Sequence, residues 1–465
     1  MTRSVEKAMD SFIVQLKGLK NLYTSYQKKA DFCEKDFGTK IKLLINRKIY
    51  DYEKINGLEN NLSEEEIPEL ILGTNELLKK EIWKKIYNVI EVNQGDEDEE
   101  LIISFTDDFL LKAFRMMNEE EEDIYSDESE LIMQSVLMNL CIALESMSSE
   151  VLINYYYYCG GTELSNKTLT YDELIEIEDI EDAKRYLVER NVESIFYNSF
   201  NKWFEKMDER LHIKKEFSDV LEVNELIAEI NEAFLRRNIL VHNNGKVNKN
   251  YLTNVCDHYK ELYSVNDLVK LDKEYLDKKI DCFEKLGWMI FFKSMEINQK
   301  STGLEDIIWA VNNKALNCIK SNCDLIPSIF RICSKKSPNQ QQKYYCAINY
   351  YLFYKINNRL EEVIEELTEF DVSILSDEFV MAKAILLDSE DCFEIIKKHF
   401  STLDDLDFLN KIRWPLIGVI IDKEPYESYF IKQWKERIST NERLVGKSYK
   451  EVNDESKEEN KQENN

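Results

Sequence analysis

Glycine and proline are scarce: 12 and 5 in a chain of 465 residues. A large all-β or doubly wound α/β protein needs many more turn residues, so the composition points to helices. Ten cysteines are scattered without a CxxC pair and without a Cys/His cluster. A structural zinc site needs four ligands at close spacing, so none is expected, and no cofactor is implied. The cysteines read as reduced, buried small residues. The N-terminal MTRSVEKAMDSFIVQL has no apolar core, and no run of 18 apolar residues occurs anywhere. The expectation is a cytoplasmic chain that neither carries a standard secretion signal nor spans a membrane. Histidine is rarer still, with four copies.

What the chain has in excess is acid. The net charge is −28, with 89 acidic against 61 basic residues. Between Glu91 and Glu130, 16 acids face two bases, a net of −14. Such a run reads as a solvated linker. It can also act as an internal mimic of nucleic acid that covers a basic site. Because the excess is concentrated there, it argues only weakly against RNA as a partner elsewhere on the chain.

Helical periodicity organises the remainder. Phe12, Leu16, Leu19 and Tyr23 recur at helical spacing. A second element opens at Ser63, with Glu66 three residues on as a capping box, and runs through KKEIWKKIYNVIEV. Residues 101–105 read as a short strand, and Thr106 as the cap of a short helix. A long apolar helix spans 131–159 and stops at Gly160-Gly161. Thr170 and Glu173 form a second capping box. Five or six helices then follow in about 165 residues, which is a helical bundle. Beyond residue 300 the helices shorten into hairpins. Ala347 and Ala382, 35 residues apart, suggest a repeat resembling tetratricopeptide units, and an ordinary α-domain fits the same signal. The expected architecture is all-α. It comprises an N-terminal helical region (1–95), an acidic linker with a short helix (96–130), a bundle (131–297), a helical-hairpin domain (298–445) and a disordered tail (446–465).

One stretch carries chemistry: RRNILVHNNG, residues 236–245. On a helix, Val223, Ile227, Ile230 and Phe234 form an apolar stripe, and extending it reaches Arg237 and Val241. This predicts a partly buried guanidinium, which must find a partner. Asn238 and His242 are four apart and share a face, so the amide can orient the imidazole. Arg237 and His242 point about 140° apart, so one copy converges poorly on a ligand while two copies across a symmetric dimer converge well. Histidine suits proton transfer near neutral pH. A histidine in a last helical turn is also a common cap. His212, His258 and His399 lack such a context and read as surface or packing residues. The tyrosine run 155–158 reads as core and interface.

The order of elements around RNILVH, with a long helix ending LESMSSEVLINYYYYCGG upstream and LDKEYLDKKIDCFEKLG downstream, resembles the HEPN family over roughly 130–297. Its signature is an arginine followed four to six residues later by histidine, often with a polar residue directly after the arginine. Arg237, Asn238 and His242 fill it. The resemblance implies a metal-independent endoribonuclease acting as a homodimer, a toxin or effector in antiviral, abortive-infection defence. His242 would move a proton to or from the 2′-hydroxyl or the leaving oxygen, Arg237 would stabilise charge on phosphorus, and Asn238 would position either. Arg236 and Lys246 would contact RNA, and Glu145 on the first long helix would be an accessory. Other family members have lost catalysis and serve as dimerisation or nucleotide-binding scaffolds. In that case the C-terminal hairpins would bind a protein partner.

Overall fold

The computed structural model describes residues 4–25, 88–93, 100–104, 122–159, 167–175, 177–297, 302–321, 323–373 and 375–438. Among these residues the fold is all-α apart from one two-stranded hairpin. The Ser63–Glu66 box, the helix capped by Thr106 and the tail 446–465 lie outside these residues.

The chain forms two compact units, Lys20–Val136 and Met1–Leu19 with Leu137–Asn465. In the first, β1 (Asn88–Asn93) pairs antiparallel with β2 (Glu100–Ser104), with an irregularity between Val89 and Glu91. β2 answers the strand expected at 101–105. β1 does not answer the sequence reading, which carried the preceding helical pattern through it. NVIEVN holds three β-branched residues in six, which suit a strand once a partner strand exists.

The larger unit begins with residues 4–19 of helix α1 (residues 4–25). Val5, Ala8, Met9, Phe12, Ile13 and Leu16 are buried along one face. Its Phe12 ring lies against Gly287 so closely that a Cβ there would sit 2.2 Å from a ring carbon. The first helix thus packs into the bundle, although its sequence suggested a separate N-terminal region.

Helix α2 (Glu122–Tyr158) starts nine residues before the expected position, inside the acidic run. From Glu130 to Tyr158 it is long and apolar enough to cross a membrane. Here Leu137, Leu140, Cys141, Leu144, Met147, Val151 and Leu152 are buried within the protein. Next comes the short α3 (Tyr171–Ile175). Its expected capping box is present: Thr170 N donates to Glu173 Oε2 at 2.7 Å, and Glu173 N donates to Thr170 Oγ1 at 3.3 Å. There follow α4 (Ile180–Phe196), α5 (Phe200–Leu211), α6 (Ile213–Phe217), α7 (Val223–Asn243), α8 (Lys249–Asn254), α9 (Asp257–Leu262) and α10 (Lys273–Ile297). Phe234 of α7 joins three of them. Its ring stacks on Phe200 of α5 at 5.0 Å and on Phe283 of α10 at 6.0 Å.

The remaining helices are α11 (Leu304–Asn317), α12 (Leu325–Lys336), α13 (Gln340–Ile356), α14 (Ile364–Glu369), α15 (Asp377–Leu387), α16 (Cys392–Ser401), α17 (Asp405–Ile412), α18 (Pro415–Gly418) and α19 (Tyr426–Ile438). They form consecutive hairpins, and cross-contacts fall about one hairpin apart in sequence. Gln342 Nε2 donates to Glu305 O, Asn349 Nδ2 to Asn312 Oδ1, and Asn357 Nδ2 to Ile319 O, across 37, 37 and 38 residues. Trp309, Tyr345, Phe379 and Trp414 recur every 34–36 residues, and the Tyr345 ring touches the other three at 5.5, 5.2 and 5.7 Å.

Candidate functional site

Helix α7 ends as its sequence requires. Asn244 and Gly245 take left-handed backbone (φ 48° and 71°), and Gly245 N donates back to Ile239 O at 3.0 Å. This closes the last turn in the Schellman manner. Asn243 Nδ2 donates to Lys246 O at 2.5 Å, and Lys246 bridges Leu268 antiparallel. Val247 and Val269 are buried under this link. Residues 245–275 are therefore laid along α7 and cover a second face of it.

That second face corrects the reading of the arginine pair. The apolar stripe does not continue into Arg237 and Val241. Arg236, Ile239 and Leu240 are buried instead, while Val241 is 49% exposed. Arg236, expected to contact RNA, is 2% exposed. Its Nε donates to Glu232 Oε1 at 2.6 Å and its Nη1 to Lys270 O at 3.0 Å, and the guanidinium lies over the Tyr275 ring at 4.1 Å. A phosphate cannot reach it without unpacking the bundle.

Glu232 is the centre of this network. Tyr251 and Tyr275 donate their hydroxyls to its two oxygens at 2.7 and 2.8 Å, and Lys279 Nζ lies 2.8 Å from Oε2. Lys279 also meets Glu229 at 2.7 Å. Glu232 and Lys279 are fully buried. Burial opposes the Glu232 carboxylate, yet Lys279 and Arg236 hold it below the usual range. The same contest, won mainly by Lys279, brings Glu229 down to about 2. Both carboxyls are depressed in the folded state, so they stabilise the fold above the unfolded carboxyl range, and this contribution is lost as pH falls through the folded values. The urea midpoint should therefore drop between about pH 5 and pH 2, and Glu229→Gln should flatten that drop. An unchanged pH profile in the variant would show that Glu229 is not part of the coupling.

The motif arginine has a different setting. Arg237 Nη2 donates to Glu145 Oε1 on α2 at 3.0 Å, with the two side chains 28% and 30% exposed. The structure thus brings Arg237 together with Glu145, the acid that the family resemblance pointed to. The Phe234 ring lies 5.6 Å beneath the guanidinium. Burial pushes the Glu145 carboxyl up, and the pull of Arg237 only partly offsets it. Cys141, one turn before Glu145, also faces Arg237, and burial lifts its thiol to about 12. It is buried and free, as the cysteines were read, and its i, i+4 spacing from Glu145 was the signal that it would border this site.

Asn238, His242 and Lys246 are exposed. Among the described residues, Asn238 and His242 form no hydrogen bond with each other, so the amide does not orient the imidazole. Arg237 faces α2, whereas His242 sits at the open end of α7. As read for the others, His212 and His258 are exposed and His399 is packed inside the hairpins. Among the described residues no three His, Cys, Asp or Glu side chains converge to hold a metal ion. A scan of protein-family models and searches of curated proteins and of solved structures find no match to this chain.

Proposed function

We propose that the chain is a metal-independent endoribonuclease of HEPN type, cytoplasmic, acting as a toxin or effector of antiviral defence. The observation that carries this reading is the meeting of Arg237 with Glu145 beside an exposed Asn238 and His242. The arginine of the motif is drawn toward the first long helix, close to the surface, while the histidine stays free at the helix end. A second copy would supply the histidine opposite each arginine. In this chemistry the 2′-oxygen of RNA attacks phosphorus and the bond to the 5′-oxygen breaks. One fragment then ends in a 2′,3′-cyclic phosphate and the other in a 5′-hydroxyl. His242 takes the proton from the 2′-hydroxyl or delivers one to the leaving oxygen, and Arg237 stabilises the extra negative charge on phosphorus. In this reading Lys246, which is exposed, contacts the RNA backbone.

The test is cleavage of single-stranded RNA by the purified protein in excess chelator. Wild type is expected to cut and to leave cyclic phosphate ends. His242→Ala and Arg237→Ala are expected to melt like wild type and not to cut. Wild-type cleavage by the double variant, or a requirement for Mg²⁺, would sink the assignment.

A second reading draws on the same contact: Glu145 already neutralises Arg237, as a purely structural tie would. The bundle would then be a dimerisation or nucleotide-binding scaffold, and the C-terminal hairpins would take a protein partner.

A further inference from the structure

Two adjacent arginines on α7 are treated in opposite ways. Arg236 is saturated: a carboxylate, a carbonyl and a tyrosine hydroxyl take its three nitrogens, at 2.6, 3.0 and 3.3 Å. Arg237 is not. Its guanidinium makes one hydrogen bond to a carboxylate oxygen and a weaker contact with the Cys141 thiol, and its Nε is buried without a hydrogen-bond partner. A guanidinium fork is built to hold two oxygens of one anion side by side, and a phosphate offers them. Glu145 supplies only one. Its carboxylate is also poorly solvated where it lies, because burial works against its charge.

We infer that Glu145 is a resident stand-in for the RNA phosphate. It occupies Arg237 in the resting protein, and a phosphate must displace it before the site can engage RNA. This rests on the reading of Arg237 as the phosphate-facing residue and adds a regulatory contact to that site. In the closed form Arg237 has its counter-charge within the chain. When the half-buried Glu145 lets go, Nη2 is freed for the incoming anion, and the fork can turn to present its unused Nε as well. Glu145 therefore sets the threshold for binding and does not itself contribute to the chemical step.

The experiment uses the full chain and a single-stranded RNA oligonucleotide whose 2′-positions are all O-methylated. The 2′-oxygen cannot attack, so binding is read without cleavage. Glu145→Gln keeps the size and a hydrogen-bond acceptor, and is expected to melt close to wild type. It should bind the oligonucleotide about five- to tenfold tighter. The slope of log Kd against log salt should steepen by about 0.7, as for one further phosphate contact to a single strand. Both gains should vanish when Arg237→Ala is added. Glu150→Gln, which removes another exposed acid from the same helix, should change neither, and so separates displacement from a general loss of negative charge. Unchanged or weaker binding by Glu145→Gln, or an equal gain without Arg237, overturns the inference. The nuclease reading is scored separately on unmodified RNA. Tighter Arg237-dependent binding with no cutting of native RNA would leave the masking in place and remove the enzyme. Cutting by wild type without the binding gain would do the reverse, and no binding by any variant overturns both.

Discussion

Glu232→Ala is expected to cost about 3–5 kcal/mol of folding stability, the loss seen when one partner of a buried charge cluster is removed. The carboxylate meets Arg236 and Lys279, which are 2% and 0% exposed, and two tyrosine hydroxyls. Removing it strands a guanidinium that has no other carboxylate and leaves Tyr251 and Tyr275 without their acceptor. Lys279 is protected in part, because Glu229 remains 2.7 Å away. Most of the loss should therefore trace to Arg236. A variant that replaces Glu232, Arg236 and Lys279 together by apolar residues of similar volume should recover much of it, since an intact buried ion cluster contributes little net stability over good apolar packing. Urea unfolding of the single and triple variants checks both points. A loss under about 1 kcal/mol would mean that the cluster is open to water, and would make Arg236 available to a phosphate after all.

Gly287→Ala should destabilise the bundle by about 1–3 kcal/mol through overpacking. Alanine inside a helix ordinarily helps by about 0.5–1 kcal/mol relative to glycine. Here the added carbon would stand 2.2 Å from the Phe12 ring, which is 1% exposed and would have to move. The clash outweighs that gain, and the Phe12 ring or α1 itself must shift. Phe12→Ala alone should cost about 3–5 kcal/mol for the lost ring. The double variant should be less destabilised than the two single losses added together, because the new methyl group enters the space the ring has left. Strict additivity would show that the two residues do not touch in solution. A protease that cuts within α1 in Gly287→Ala, and not in wild type, would locate the damage.

The helical class was legible from scarce glycine and proline, and the Thr170–Glu173 box was legible from two residues at the right spacing. The strand Asn88–Asn93 was not, because its partner lies beyond an acidic segment and the lysine-rich helical pattern before it gives no stop signal. The early start of α2 was hidden by the same acids, which suit a linker and the first turn of a helix alike. At the site, a single extrapolated stripe put Arg237 inside and Arg236 outside. Arg237 is part-buried and paired, but Arg236 is buried more deeply still, because residues 245–275 bury a second face of α7, and that covering is a tertiary event with no trace in the helix's own periodicity. The Glu145–Arg237 pair spans 92 residues. Spacing alone could not have found it, and only the family resemblance pointed to an acid on that helix.

Most contacts between the C-terminal hairpins reach about one unit along the chain: 37 and 38 residues for the asparagine and glutamine bonds, 33 for Lys355 to Asp388, and 32 for Arg437 to Asp405; Tyr345, which meets Lys411 and Trp414, reaches two. Nothing in that set ties the last hairpin to the first. Loops of this length close at nearly equal entropic cost, so the array can assemble from neighbour to neighbour. The same locality governs how it comes apart. Tension applied near residue 438 would meet one small barrier after another, as in a zip fastener. Phe234, whose ring stacks on α5 and α10, belongs instead to a part that can fail only as a whole.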